Sequence, residues 1–332
     1  MIYVNKWKEL IVATLISIIC LYFAFNKVNL NSLFNTFKNA NYLLVLGCIS
    51  LFVFSMIIRS FRWRMILSSS YTISLRFLFE SIMIGYFINS ILPFRLGEFG
   101  RAYALSMKSP IGTFEAFGSI ILERLIEAIC LLFILIIALN FQSADKILDG
   151  NQIIFLSFSF IFLVILLLNS TFRKKIIFFL EIKSKKSSAR LSFILYKLLE
   201  VLKGFSLFDS KKNKTDILTT SFLLWFIYYL ITILGINAIG LNLSHLEALF
   251  LLIFSSIAFS LPSAPGGIGP YHAATVFIVS NIFMYDSNQA LALAILLHAV
   301  AYVPEVLIGL FYFYRYSFSY KDLKKVKIEK KV

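Results

Sequence analysis

Glu123, Arg124 and Glu127 stand inside an apolar run that extends from residue 114 to 139. An ionised side chain at the centre of a membrane helix costs about 2.5–3.5 kcal/mol, so charges kept there point to a working site. Glu123 and Glu127 are four apart and share a helix face, and Arg124, three before Glu127, can pair with it. Arg95, Glu98 and Arg101 form a second set in Pro93-Phe-Arg-Leu-Gly-Glu-Phe-Gly-Arg101, where Pro and Gly interrupt the apolar chain. Backbone N–H groups freed at such a break, and helix N-termini beside it, add partial positive charge suited to an anionic head group. Two readings are open. In one, Arg95 and Arg101 hold phosphate while Glu98, Glu123 and Glu127 balance them or accept protons. In the other, the charges form an internal network that pins the break against the helix at 114–139. Excess cationic and polar groups beside irregular backbone favour the first.

The second half of the chain has no Lys or Arg from Thr215 to Tyr314, yet it holds all three histidines. His272 follows the glycine-rich run Gly266, Gly267 and Gly269 directly, a position suited to ligand contact or to bonding freed carbonyls at a helix start. His298, Tyr302 and Glu305 fall at i, i+4 and i+7 on one helical face beside Pro304, a stripe that could relay protons or simply sit satisfied in a core.

The elements that carry these residues follow from composition. Of 332 residues 59% are hydrophobic and 15% charged, and the mean hydropathy is +0.85, values no soluble domain shows. Apolar runs long enough to cross about 30 Å of hydrocarbon as helices lie near 9–25, 41–58, 114–139, 152–169, 216–240 and 290–313, which predicts six full spans. Pro and Gly split the stretches 77–108 and 247–284 into pieces of marginal length, read as re-entrant hairpins or pairs of short helices. Their breaks, Pro93 to Gly100 and Pro262 to Gly269, share the spacing Pro-x3-Gly-x2-Gly, as if one device occurred twice. Irregular backbone is tolerated at membrane depth only where protein or a watery cavity covers it.

The net charge of +15 is placed unevenly. Arg59, Arg62, Arg64 and Arg76 follow the second span, twelve Lys/Arg lie between Arg173 and Lys214, and seven lie from Arg315 onward, whereas the loops at 241–246 and 285–289 carry none. The positive-inside rule puts both termini and the 170–215 loop in the cytoplasm. Topology and attraction to anionic lipid account for this charge, and no nucleic-acid partner is expected. The N-terminal run lacks a small-residue cleavage site and reads as a retained first span. The chain divides into a first membrane repeat, 1–150, a second, 151–315, and a basic tail, 316–332. With three crossings each, the second repeat is inverted, so the two hairpins would meet near the bilayer midplane.

Cys20, Cys48 and Cys130 fall in apolar spans without metal-type spacing, and no metal or cofactor is expected. There is no phosphate-binding loop with Lys-Ser/Thr, no nucleophile elbow and no zinc spacing; no catalytic residue is assigned, which favours a transporter over an enzyme.

Three segments carry a resemblance: Ile91-Leu-Pro-Phe-Arg-Leu-Gly-Glu-Phe-Gly-Arg-Ala-Tyr-Ala-Leu105, Leu122-Glu-Arg-Leu-Ile-Glu127 and Pro262-Ser-Ala-Pro-Gly-Gly-Ile-Gly-Pro-Tyr-His-Ala-Ala274. In this order they resemble the signature segments of the flippase-like family, also called the lysylphosphatidylglycerol synthase transmembrane region, over nearly the whole chain. The family's Pro-x-Arg-x-Gly-Glu-x-x-Arg matches Pro93, Arg95, Gly97, Glu98 and Arg101, and its Glu-Arg matches Glu123 and Arg124. Many members carry Glu where His272 stands. The resemblance implies a bacterial or archaeal plasma-membrane protein that handles lipids with charged or sugar-bearing head groups; a soluble aminoacyl-transfer domain is not expected here. The resulting expectation is an all-α polytopic membrane protein that moves an anionic phospholipid or polyprenyl-phosphate-linked intermediate between leaflets. The alternative is a membrane glycosyltransferase, or an accessory subunit partnered with envelope-biosynthesis glycosyltransferases.

Overall fold

Five helices of this chain start where a short polar N-cap side chain accepts the first free N–H groups. Asn29, Asn41, Ser74 and Asp286 each do so, and Ser244 forms a reciprocal capping box with Glu247. The computed structural model describes residues 3–26, 28–68, 70–139, 150–185, 187–206, 214–261 and 263–316. Among these residues it contains α-helices and no strand. The helices are α1 Tyr3–Phe25, α2 Leu30–Lys38, α3 Tyr42–Leu67, α4 Leu75–Ile91, α5 Gly97–Ser106, α6 Thr113–Leu139, α7 Gly150–Leu168, α8 Ser170–Lys185, α9 Ala189–Ser206, α10 Lys214–Ala238, α11 His245–Ser260, α12 Pro270–Val276 and α13 Ser287–Arg315. A 3-10 turn at Pro265–Gly267 precedes α12, and a π turn at Phe277–Ile282 follows it.

Each of the six stretches expected to span falls on one helix. By length and composition α3, α10 and α13 can cross a membrane, and Thr14–Phe25 with Leu30–Lys38 forms an apolar pair bent by 81°. α6 is as long, but Glu123, Arg124 and Glu127 interrupt its apolar face. α3 runs nine residues beyond the expected end at 58, because nothing between Ile58 and Leu67 breaks a helix. The 170–215 stretch, expected as a basic loop, is largely helical: α8 packs on α9, and α9 on α6. Residues 140–149, 207–213 and 317–332, including most of the basic tail, lie outside the described residues.

α3 packs along α10 and α4 along α13, and a continuous apolar core joins them through Cys48, Met56, Trp63, Leu78, Leu224 and Leu293. α4 and α5 make the first hairpin. Their backbones touch: a Cβ added at Gly85 would lie 2.7 Å from the Cβ of Arg101, so only glycine permits this approach. Asn89 of α4 caps the start of α5 by accepting from Gly97 N at 2.7 Å. At the basic end, Tyr71 in the α3–α4 turn donates to Glu115 at 2.8 Å. Burial, and then that carboxylate, push the Tyr71 phenol up to about 12, so it remains a donor.

α11 and α12 make the second hairpin, and its break leans on α1, where Ala264 N donates to Ser17 Oγ at 2.9 Å. Pro262 lies outside the described residues. The backbone relates the two breaks in a different register from the one the spacing suggests. After Pro93, Phe94 and Arg95 take φ of 61° and 53°; after Pro265, Gly266 and Gly267 both take 72°. The shared device is therefore Pro followed by two left-handed residues. Gly97, which the shared spacing aligns with Gly266, is instead the first residue of α5.

Candidate functional site

The hairpins face each other across the middle of the bundle. Arg95 Nη2 donates to the Phe259 carbonyl at the end of α11, 2.6 Å away, and the guanidinium carbon stands 5.2 Å from the Phe259 ring centre. Left-handed backbone costs a non-glycine residue about 1–2 kcal/mol, and here it directs Arg95 across the gap.

Between the breaks lies a cavity of about 830 Å³. Apolar and aromatic side chains from α3, α6, α10, α11 and α13 make most of its wall, among them Phe52, Leu131, Trp225, Ile257 and Leu297. Its charged lining is Arg59, Arg95, Glu98, Arg124, Glu127 and Glu305. Gly266, Gly267 and His298 also line it; Gly269, His272 and Tyr302 stand behind the wall.

Most of these charges are paired. Glu123, wholly buried, accepts from Arg59 at 3.1 Å, from Arg62 at 2.9 Å and from Arg101 at 2.8 Å. Glu127 accepts from Arg59 at 2.9 Å, from Arg124 at 2.8 Å and, closer still, from Arg62. Arg124 also holds Glu98 in a short pair that ties α6 to α5. The guanidinium carbon of Arg101 stands over the Trp63 ring, 3.8 Å from its centre, and Arg101 does not line the cavity. Burying so many ions is costly unless each is met, and here α3, α5 and α6 supply both signs at bonding distance. Two members stand apart: Arg95 and Glu305 line the cavity, and neither makes a salt bridge among the described residues.

The structure brings Arg95, Glu98, Arg124 and Glu127 to one cavity wall, with Glu123 and Arg101 directly behind. It also adds Arg59 and Arg62, which follow the second apolar run in sequence, the usual place of an interfacial flank. They are buried on α3, where Arg59 also donates to Tyr228 of α10 at 2.9 Å and Arg62 to Ser221 at 3.1 Å. Their spacing of three residues put them on one face with Met56, opposite exposed Arg64, and that was the available signal. Glu80 belongs to a separate cluster at the basic end, with Arg76 and Tyr316. The expected stripe His298–Tyr302–Glu305 is not hydrogen-bonded within itself. His298 instead bonds backward to His272, 3.3 Å away, and to the Gly266 carbonyl at 3.0 Å, while Tyr302 stacks edge-on against His298.

Fold and site together define an all-helical, multi-pass membrane protein with a charge-lined central cavity between two broken helical hairpins. The chain belongs to the family described as the lysylphosphatidylglycerol synthase TM region, whose model matches residues 10–309. It is 29% identical over 235 residues, covering 69% of this chain and 93% of the relative, to a UPF0104 membrane protein of Methanocaldococcus jannaschii. No solved structure matches.

Proposed function

We propose that this protein is a lipid translocase that moves an anionic phospholipid or a polyprenyl-phosphate-linked intermediate between leaflets of the plasma membrane. The observation that carries the reading is Arg95: a cation on the wall of a largely apolar cavity, with no carboxylate partner among the described residues and one N–H spent on a carbonyl. Its remaining N–H groups suit a phosphate oxygen, which a guanidinium binds in a fork. Arg124, whose side chain is 30% exposed, stands beside it and can exchange Glu98 for the same ligand. Lipid tails need no site, because apolar side chains and bilayer surround the opening. Glu305 supplies an acceptor for hydroxyl or amine groups of the head.

In this reading α1, α3, α6, α7, α10 and α13 cross the bilayer, both termini are cytoplasmic, and 151–315 repeats 1–150 upside down. The two breaks close the cavity alternately from opposite sides. Arg101 and Glu123 act through their neighbours: they hold Arg59, Arg62 and Glu127 in place.

The test is reconstitution of the purified protein into vesicles with a fluorescent anionic phospholipid, following loss of signal to a membrane-impermeant quencher. Faster loss than in protein-free vesicles, reduced about ten- to a hundred-fold by Arg95→Gln, is the expected result. Product formed from a lipid-linked sugar donor by the protein alone would make it a transferase instead.

A further inference from the structure

The second break is tied to α13 by three groups that the lipid reading leaves unused. His298 Nε2 lies 3.0 Å from the Gly266 carbonyl oxygen. A carbonyl only accepts, so this nitrogen carries the hydrogen, and neutral His298 presents a lone pair at Nδ1. That atom lies 3.3 Å from Nε2 of His272, which therefore donates. The last nitrogen, His272 Nδ1, is buried without a partner. The chain thus has one direction, from a free lone pair on α12 to an N–H that clamps Gly266.

A proton that reaches His272 Nδ1 can be handed on from Nε2 to Nδ1 of His298. It can leave His298 only from Nε2, and that hydrogen is the one that holds the break. Gly266 sits there at φ 72°, and a Cβ would stand 2.7 Å from the Tyr302 ring, so the bond from His298 to its carbonyl holds a tight, glycine-only turn. Glu305 lies two turns further along α13, lines the same cavity as His298 and makes no salt bridge among the described residues.

We propose that the second break is a proton-operated gate, held by His298 and released when a proton entering at His272 leaves through His298 toward Glu305. The proton gained at His272 Nδ1 balances the one that His298 Nε2 gives to water in the cavity that His298 and Glu305 both line, which passes a proton to a Glu305 carboxylate oxygen two turns away. Both imidazoles end neutral with hydrogen on Nδ1, Glu305 ends as the acid, and the Gly266 carbonyl faces a lone pair and is free. The clamp is reset when Glu305 gives its proton to solvent, His298 Nε2 takes one from cavity water, His298 Nδ1 returns its proton to His272 Nε2 and His272 Nδ1 releases one, which restores both starting tautomers. For its role in transport the proposal rests on the translocase reading; the gate itself does not.

The surroundings leave few rivals for the proton. Residues Thr14–Phe25 of α1 contribute only Cys20 and Tyr22 as titratable groups, and α11 only His245 and Glu247 in its first turn. Tyr271 stands edge-on to both imidazoles. α13 brings Tyr302 and Glu305, and α4 and α10 bring Tyr86 and Tyr228 across the cavity. The charged groups on its far side are Arg59, Arg95, Glu98, Arg124 and Glu127, and all but Arg95 are held in ion pairs.

The experiment reads the gate directly. In the full chain with its three cysteines replaced by serine, Ile268→Cys in the break is labelled with a maleimide, and the rate is divided by that of Met284→Cys, an exposed reference that cancels thiolate chemistry. The ratio should rise about ten-fold between about pH 8 and about pH 4, a window that reaches below the ordinary imidazole range because burial disfavours the charged form. With His298→Gln, whose amide can still donate to Gly266 but cannot titrate, it should stay flat. A flat ratio with both histidines present overturns the gate, and an equal rise with His298→Gln overturns the assignment to His298. A pH-sensitive ratio that His298→Gln abolishes supports the gate even if no lipid moves at any pH, a result that would sink the translocase reading alone.

Discussion

Arg95, at the turn of the first hairpin, donates to the backbone carbonyl of Phe259, which is 164 residues later and closes the first helix of the second hairpin. The two breaks are thereby one structure, and the group that joins them is also the cavity's cation without a carboxylate partner. Arg95→Gln keeps a donor for the Phe259 carbonyl and removes the charge. A charge-assisted bond to phosphate contributes about 1.5–3 kcal/mol, so lipid movement should fall about ten- to a hundred-fold. Thermal unfolding in detergent should barely change, because no carboxylate is left unpaired. A fall in melting temperature in step with activity would assign Arg95 to structure.

Arg62 should behave in the opposite way. It is wholly buried and shared by Glu123 and Glu127, so Arg62→Leu leaves two carboxylates with one fewer partner in a low-dielectric core. Breaking a buried pair on one side costs about 3–5 kcal/mol, reduced here because Arg59 and Arg101 still reach Glu123. The expected outcome is a clear loss of thermal stability, largely recovered when Glu127→Gln is added. An additive rather than compensating double variant would show that the two residues are not energetically coupled.

The contrast between Arg95 and Arg62 also marks what the sequence could tell. Pro and Gly inside apolar runs announced both breaks, and Glu123, Arg124 and Glu127 were conspicuous within a span because charge is costly there. Arg59 and Arg62 were not, since an arginine after an apolar run is ordinarily interfacial; only the uninterrupted helix to Leu67 carries them inward. The pairing of His272 with His298 crosses a π turn and a loop, which no helical periodicity reports. The register of the two breaks was misleading for a related reason. Glycine serves close packing at Gly97 and left-handed backbone at Gly266, so equal spacing does not mean equal geometry.

Gly267 tests the joint between the breaks without touching a charge. Its φ is 72°, and a Cβ there would lie 2.5 Å from the ring of Phe259, the same ring that carries Arg95. Gly267→Leu should therefore displace the Arg95 platform and reduce lipid movement as severely as Arg95→Gln. Movement at the wild-type rate, in a folded variant, would mean that the breaks act as separate kinks and that the cavity between them is not the path.

The arrangement of the second half in the membrane is open to a chemical test. In the proposed arrangement the chain between Ser187 and Ser287 passes through α9, crosses once along α10, and then enters and leaves the α11–α12 hairpin on one side. If that is so, the two serines face opposite compartments, and the Lys/Arg-rich segment assigns Ser187 to the cytoplasm. Single Ser187→Cys and Ser287→Cys variants, with Cys20, Cys48 and Cys130 replaced, should each react with an impermeant maleimide from one side only: Ser187→Cys in inside-out vesicles and Ser287→Cys in intact cells. Labelling of both from the same side would require the α11–α12 hairpin to cross the bilayer, and an inverted relation between the two halves would then be impossible.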